Sequence, residues 1–279
     1  KKLLPSIFSS GITQINILIG TIIASYEAGA VSYLYYADRI YQINLAIAGI
    51  AVGTVSLPAL SKAFKSRNIK KLSNIQSKSF ELSLLLSIPA SLGLILASEE
   101  IVNSLFGYGS FSEKDVKLTA DALKYFGYGV PAFALVKILS NFFFARDNTK
   151  TPLYISIFMV IINISISVSL FASYGFIIIP IATSISTWTG VLIYIYLLNE
   201  KNSLLLNKKL IPNFIKILAS TIIMSIIMVL LINNYESYLN YSYKFKAIYL
   251  LSIVGFVGIV YLLSCYLFGI LKLKNYKTN

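Results

Sequence analysis

Asp38 and Arg39 are adjacent charged residues inside a stretch that is otherwise apolar enough to cross a membrane as a helix. A charge at membrane depth costs a few kcal/mol or more, so such residues face a partner or a water-filled cavity. Only three of the 24 basic residues are arginines, and the planar guanidinium suits bidentate binding of phosphate or carboxylate. The pair therefore predicts an anion-binding position within the membrane. The alternative is a structural Asp-Arg pair that neutralises itself and fixes helix packing.

Two further residues complete the predicted substrate-binding set. Gln42 lies one turn beyond Asp38 and Arg39, on a face that also carries Tyr35, Ala46, Gly49 and Gly53. Lys137 lies in the middle of another apolar helix, and its distance from either end favours a cavity-facing ammonium.

Catalytic patterns are missing from the sequence. It has no histidine, no P-loop, no dinucleotide fingerprint and no HExxH motif. Asp38 is the only carboxylate that we place deep in a span, so paired-carboxylate chemistry within the membrane has no second group. We therefore predict that the protein is not an enzyme.

Composition and block length identify the elements that position these residues. Mean hydropathy is +0.75, with 57% apolar and only 13% charged residues, whereas soluble domains carry about 25% charge. Apolar blocks near or above 18 residues lack the alternation of barrel strands, which leaves helices as the spans. We predict an all-α, polytopic membrane protein of about eight transmembrane helices, near 4–26, 30–63, 72–98, 114–145, 151–173, 176–199, 209–233 and 244–271. Pro89 and Pro131 are expected to bend the third and fourth, and residues 101–109 are expected to form a short interfacial turn.

The basic residues predict how these helices are oriented. With the first residues in the cytoplasm, 17 of the 24 fall on the cytoplasmic side. Five fall on the opposite side, namely Lys114, Lys117, Lys124, Lys244 and Lys246. This bias satisfies the positive-inside rule with both termini of the segment cytoplasmic. The net charge of +13 is therefore mainly topological and favours contact with anionic membrane lipids. We predict no nucleic-acid partner.

Several motifs resemble the MurJ/MviN family of lipid II flippases. The most specific is the Tyr-Ala-Asp-Arg block at 36–39, followed by the Gly-Thr-x-x-x-Pro run at 53–58. Similar segments lie at 14–16, 24–25, 105–111, 143–152 and 182–184. The resemblance implies the fold of the MOP superfamily, in which two six-helix lobes are followed, in this family, by two further helices. Residues 1–200 would be the second lobe, and residues 201–279 would be the helix pair that forms a lipid-tail groove.

The same resemblance implies a function and partners. The family moves the undecaprenyl-pyrophosphate-linked peptidoglycan precursor from the cytoplasmic to the outer leaflet of the bacterial inner membrane by alternating access. Arg39 would be a cavity arginine oriented by Asp38, and Lys137 falls where members often carry lysine. The implied partners are lipid II, membrane lipids and a first lobe missing from this sequence, which agrees with the absent start methionine. Two alternatives remain: another MOP-superfamily exporter of a polyprenyl-linked saccharide or a drug, and a non-transporting membrane scaffold.

The sequence departs from the family at one ion site. Some members bind sodium with an Asp on the first helix of this lobe and an Asn-x-x-x-Asp pair on the fifth. The corresponding residues are Gly20, Asn163 and Ser167, and Thr183 fits a remaining hydroxyl position. Because hard cations need charged oxygen ligands, Asn163 and Thr183 would be only a weak sodium-site remnant. We predict no cofactor, and the driving force stays open between membrane potential and protons.

Overall fold

The computed structural model describes residues 3–271, and describes side chains from residue 14 onward. None of the described residues lies in a strand, which confirms the all-α class. The long helices are α1 (Leu3–Ala24), α2 (Ala30–Leu45), α3 (Val52–Lys65), α4 (Ile69–Leu96), α6 (Glu113–Phe144), α7 (Lys150–Tyr174), α8 (Ile178–Glu200), α9 (Leu210–Asn234) and α11 (Lys246–Leu267). A π-helical turn (Ala46–Ala51) joins α2 to α3, a 3-10 turn (Gly175–Ile177) joins α7 to α8, and α5 (Ser98–Phe106) and α10 (Glu236–Leu239) are short.

Six helical stretches among the described residues are long and apolar enough to cross a membrane. One of them, Lys150–Glu200, comprises α7 and α8, and the apolar helix Gln14–Ala24 belongs to α1. Gly175 separates α7 from α8 with a positive φ of 62°, a conformation that glycine adopts without strain. The two helices then run antiparallel, since Asn163 bonds Thr183 and Met159 packs on Gly190. The eight predicted segments therefore correspond to α1, α2–α3, α4, α6, α7, α8, α9 and α11.

The loops collect at two ends of the bundle. The α5 end contains residues 25–29, 97–112, 175–177 and 235–245, and the linker end contains 66–68, 145–149 and 201–209. At the α5 end, Phe176 N donates to Glu27 at 2.8 Å and the Tyr33 hydroxyl donates to Asp115 at 2.8 Å. The turn predicted at 101–109 was wrong in extent: most of it is α5, whose first turn carries two glutamates that favour a helix N-terminus.

The predicted charge groups agree with these two ends. The described lysines and arginines of the predicted cytoplasmic set lie at the linker end or within about three helical turns of it. Lys1, Lys2, Lys272, Lys274 and Lys277 also belong to that set but lie outside the described residues.

Pro89 and Pro131 lie inside α4 and α6, as predicted. A proline has no N–H and leaves the carbonyl four residues earlier without its helical donor. At Pro131 this carbonyl is Gly127 O, which accepts from Ser91 Oγ at 2.7 Å. At Pro89 it is Leu85 O, which accepts from the Tyr261 hydroxyl at 2.7 Å. At each proline, the carbonyl that lacks its helical donor therefore accepts a hydrogen bond from a hydroxyl of a neighbouring helix.

Helix α6 forms the centre of the bundle. It packs against α2, α4, α5 and α8, while α7 packs between α1 and α8. Helices α9 and α11 pack on each other, and α9 also packs along α4. The linker at 201–209 separates this pair from α8. The division into residues 1–200 and 201–279 stays a prediction, and residues 272–279 lie outside the described part of the chain.

Candidate functional site

Arg39 and Asp38 have separate partners on α2. The guanidinium carbon of Arg39 lies 4.6 Å from the centre of the Tyr35 ring, one turn earlier. Asp38 is half-buried and accepts a hydrogen bond from Gln42 Nε2, one turn later. A cation–π contact uses the face of the guanidinium and leaves its N–H edge for an anion. Tyr35 is therefore in direct contact with Arg39, and the orienting role inferred for Asp38 stays a prediction.

The depth of Arg39 makes its exposure significant. It lies about 14 Å along α2 from the first residue of the helix, inside the stretch Ala30–Lys65 that is long and apolar enough to cross a membrane. Its side chain is nevertheless exposed. A guanidinium at this depth is strongly disfavoured against lipid, so this surface faces water or further protein.

The π-helical turn changes the direction of the residues that follow it. We predicted one face from Tyr35 to Gly53, and its second half is wrong. Gly49 is buried against α6, where a Cβ at this position would lie 3.2 Å from Ala134 Cα. Gly53 is also buried, and its carbonyl accepts from Asn141 Nδ2 at 2.8 Å. Because a π turn inserts an extra residue, it rotates the rest of the helix out of the regular 3.6-residue register.

A cavity of about 610 Å³ lies among α1, α2, α3, α6, α7 and α8. Lys137 lines it and is exposed to it, in the cavity-facing position expected from the sequence. The other polar lining groups are hydroxyls and one amide: Asn16, Tyr41, Ser140, Thr149, Ser156, Thr183, Ser186, Thr187 and Tyr194. The described residues give the buried Asn16 Oδ1 no hydrogen-bond partner. The cavity is thus a mainly apolar chamber that contains these polar groups and the ammonium of Lys137.

Lys137 and Arg39 lie at different depths. A Cβ at Gly49 would contact the Lys137 side chain at 3.5 Å, so Lys137 lies at the level of Gly49. This level is about 15 Å along the helix axis from Arg39, towards the linker end. The four predicted substrate-binding residues therefore form two groups, with Asp38, Arg39 and Gln42 in one and Lys137 in the other. Their role in binding stays a prediction.

The positions of the sodium-site remnant are neighbours. Asn163 Nδ2 donates to Thr183 Oγ1 at 2.8 Å, and Thr183 Oγ1 donates to Ile179 O at 2.7 Å. Ser167 Oγ donates to Asn163 Oδ1 at 3.5 Å, and a Cβ at Gly20 would touch Ile179 at 3.7 Å. All these oxygens are neutral, and among the described residues no group of three or more acidic, His or Cys residues could hold a metal. The weak sodium affinity inferred from the sequence stays a prediction.

Three polar residues with structural partners were not singled out from the sequence. Glu81 lies well inside α4 and accepts from Asn213 Nδ2 at 3.0 Å, so Asp38 is not the only carboxylate within a span. Arg146 donates to Phe142 O and Ser203 O, and burial lowers the pKa of its guanidinium. Lys246, which the sequence places among the basic residues of the non-cytoplasmic side, is fully buried. Glu81 was visible as a lone carboxylate in an apolar run. Ser203, which binds Arg146, and Asn103 and Gly107, which bind Lys246, are distant in sequence.

Comparisons with known proteins agree with this geometry. Residues 1–250 match the family model described as lipid II flippase MurJ. The whole chain is 38% identical to a probable lipid II flippase MurJ of Rickettsia prowazekii, of which it covers 55%. It is 43% identical over 190 residues to that of Rhizobium meliloti, a match that covers 68% of this chain and 36% of the relative. The chain thus spans about half the length of such relatives, or less.

A solved structure of lipid II flippase MurJ also matches this chain. The chain superposes on a lipid II flippase MurJ in an inward closed conformation with a TM-score of 0.78 and 26% identity, covering 95% of this chain and 53% of the other. An outward-facing MATE transporter of the MOP superfamily matches with a TM-score of 0.63 and 17% identity, over 94% of this chain and 60% of the other. At that identity the second match shows a shared fold alone.

Proposed function

The chain belongs to the lipid II flippase MurJ family, and on that premise we propose that it is the second lobe and C-terminal helix pair of a lipid II flippase. The full protein would move the undecaprenyl-pyrophosphate-linked peptidoglycan precursor from the cytoplasmic to the outer leaflet by alternating access. Rocking of two lobes around a central site is the general mechanism of transporters built from repeated lobes. The partners would be lipid II, membrane lipids and the first lobe.

The linker end would face the cytoplasm of the bacterial inner membrane, with both termini of this segment on that side. The excess of lysine and arginine at the linker end supports this orientation, because such residues concentrate in cytoplasmic loops. The α5 end would then face outward. Arg39 would lie nearer the outer side of the membrane, and Lys137 nearer the cytoplasm.

The observation that carries the proposal is the exposed guanidinium of Arg39 inside a stretch that could cross the membrane. The chain spans about half the length of its relatives, so a partner lobe would face this surface across a central cavity. Within that cavity the N–H edge of Arg39 would bind the pyrophosphate, while Tyr35 holds the guanidinium face. Asp38 and Gln42 would fix the local side-chain arrangement one turn apart.

Lys137 would supply a second cationic level. It lies in the 610 Å³ chamber about 15 Å along the helix axis from Arg39. An anionic headgroup that enters from the cytoplasm would meet this ammonium first and the guanidinium later. Two cationic positions at different depths suit transport, because the headgroup can leave Lys137 and bind next to Arg39. No cofactor is proposed, and Asn163 and Thr183 would contribute little to sodium binding.

The C-terminal pair would guide the lipid tail. Helices α9 and α11 expose large apolar side chains along their length, including Ile222, Leu230, Leu251 and Leu262. Exposed apolar surface of this kind suits contact with acyl or prenyl chains in the membrane. The pair would therefore hold the polyprenyl tail while the headgroup crosses within the lobes.

The test uses the full-length gene in cells depleted of their own lipid II flippase. We expect wild type to restore lipid II in the outer leaflet, and Arg39→Lys and Arg39→Ala to lower the rate by about ten-fold or more. Loss of one charge-assisted contact, roughly 1.5–3 kcal/mol, corresponds to that factor. Arg67→Ala is the matched control, since Arg67 is exposed in the turn between α3 and α4.

The outcomes separate the alternatives. Failure of correctly inserted wild type would argue for another substrate or for a scaffold. Equal activity of wild type and both Arg39 variants would leave flipping intact and remove Arg39 from substrate binding. An effect of Arg67→Ala as large as that of Arg39→Ala would indicate a general need for positive charge.

A further inference from the structure

One face of α4 is joined to the C-terminal part of the chain by polar contacts at four-residue spacing. Residues four apart lie on the same side of a helix. The contacts are Ser77 Oγ with Asn207 N at 2.7 Å, Glu81 Oε1 with Asn213 Nδ2 at 3.0 Å, and Leu85 O with the Tyr261 hydroxyl at 2.7 Å. The linker, α9 and α11 each make one of these three hydrogen bonds. We call the row formed by Ser77, Glu81 and Leu85 the α4 seam.

The contact of Tyr261 is the deepest of the seam. Its acceptor is the carbonyl of Leu85, which lacks a helical donor because Pro89 follows four residues later. Tyr261 is only 6% exposed, so water does not substitute readily for its hydroxyl. A buried carbonyl without a donor is unfavourable. The position of α11 that brings the Tyr261 hydroxyl to Leu85 O is therefore stabilised.

The linker is also held by buried side chains. Gln76 is fully buried, accepts from Leu205 N at 2.8 Å and donates to Ser203 O at 3.2 Å. Arg146 Nη2 donates to the same Ser203 O at 2.8 Å. Hinges are segments whose backbone can change conformation with few contacts to break. This linker has its backbone bound to α4 and to the turn after α6, so it is not built as a hinge.

A third attachment lies at the α5 end. The Nζ of the fully buried Lys246, at the start of α11, donates to Asn103 Oδ1 at 2.9 Å and to Gly107 O at 2.6 Å. Asn103 Nδ2 in turn donates to Leu239 O at 2.8 Å. The pair is thus attached to the lobe at both ends and in the middle.

We propose that α9 and α11 are fixed to α4 as one rigid body, so that the C-terminal pair travels with the second lobe through the transport cycle. Tyr261 is the positioning residue of this attachment. The inference rests on the proposed function in assuming that the lobe moves. Its consequence is that the apolar groove changes position in step with Arg39 and Lys137, so headgroup and tail would be carried together.

Distances between spin labels in the full-length protein test whether α4, α9 and α11 move together. One label pair replaces the exposed Asn74 of α4 and Leu251 of α11, in a Cys265→Ala background. A second pair joins Leu251 to a site in the first lobe. On addition of lipid II, we expect the lobe-spanning distance to change and the 74–251 distance to stay constant. A 74–251 distance that changes together with the lobe-spanning one would overturn the proposal.

Tyr261→Phe tests the positioning role, with Tyr266→Phe, an exposed tyrosine of the same helix, as the control. We expect Tyr261→Phe to broaden the 74–251 distance distribution and to lower transport several-fold, and the control to do neither. Adding Pro89→Ala returns an N–H that can donate to Leu85 O and should narrow the distribution again. Identical behaviour of the two tyrosine variants would refute the role of Tyr261.

The two proposals fail in different ways. If lipid II is not the substrate, the lobe-spanning distance does not respond to it, whereas the width of the 74–251 distribution in Tyr261→Phe still decides the attachment. If the attachment is wrong, lipid II still moves the lobes while the 74–251 distance varies.

Discussion

The hydrogen bond from Ser91 to Gly127 O should matter because of a proline on another turn. Gly127 O lies in the buried centre of α6 and has no helical donor, since Pro131 lacks an N–H. Ser91 Oγ, 2.7 Å away on α4, supplies the donor. Ser91→Ala leaves this buried carbonyl unpaired, which costs about 1–3 kcal/mol. We expect that loss in the free energy of unfolding.

A double-mutant cycle isolates the effect. Pro131→Ala returns an N–H that can bond Gly127 O within the helix, so in that background Ser91→Ala should cost close to nothing. The expected coupling between the two sites is therefore about 1–3 kcal/mol, within the range for residues that share a partner. Denaturant titration of the full-length protein in micelles gives the free energy of unfolding of all four variants.

Ser87→Ala is the matched control. Ser87 lies one turn before Ser91 on α4 and is fully buried, but its hydroxyl has no partner within the described part of the chain. Its removal should not destabilise the protein, because no hydrogen bond is lost and a buried hydroxyl without a partner is removed. The reasoning fails if Ser91→Ala costs no more than Ser87→Ala, or costs the same with and without Pro131.

Two further predictions concern packing and pH. Gly49→Leu should destabilise the protein by about 1–3 kcal/mol, because the new side chain must enter the contact with α6; Gly255→Leu, in open space on α11, should cost nothing in the same unfolding assay. Burial, and to a lesser degree the charges of Glu99 and Glu236, raise the pKa of Glu100 above its ordinary value. A raised carboxyl pKa removes stability as pH rises through it, so Glu100→Gln should raise the melting temperature at pH 8 and lose this advantage towards pH 4. A pH-independent gain, or an equal one from the exposed Glu99→Gln, would contradict the assignment.

Much of the architecture follows from local chemistry. In hydrocarbon each backbone group must bond within its own segment, so blocks of about 20 apolar residues determine helices before any packing is known. Pro89 and Pro131 lie inside helices as expected, since their effect on a helix is also local. Arg39 could be singled out because a charge in an apolar block is anomalous in the sequence itself.

Other features depend on which helices become neighbours. The π turn at 46–51 places Gly49 on a different face of the helix from Arg39. The hydrophobic periodicity of the sequence does not predict this turn. The donors to Gly127 O and Leu85 O come from other helices. Two of the acceptors of Lys246, Asn103 Oδ1 and Gly107 O, are likewise distant in sequence.

The sequence by itself therefore determined the helices, their charge asymmetry and the residue types able to bind an anion, because hydropathy and backbone chemistry act within a segment. Only the tertiary structure decided that Tyr35 contacts Arg39, that Lys137 lies in a separate chamber and that α4 holds the C-terminal pair. These facts depend on the rotation and neighbours of each helix, which are set by packing between residues far apart in the chain.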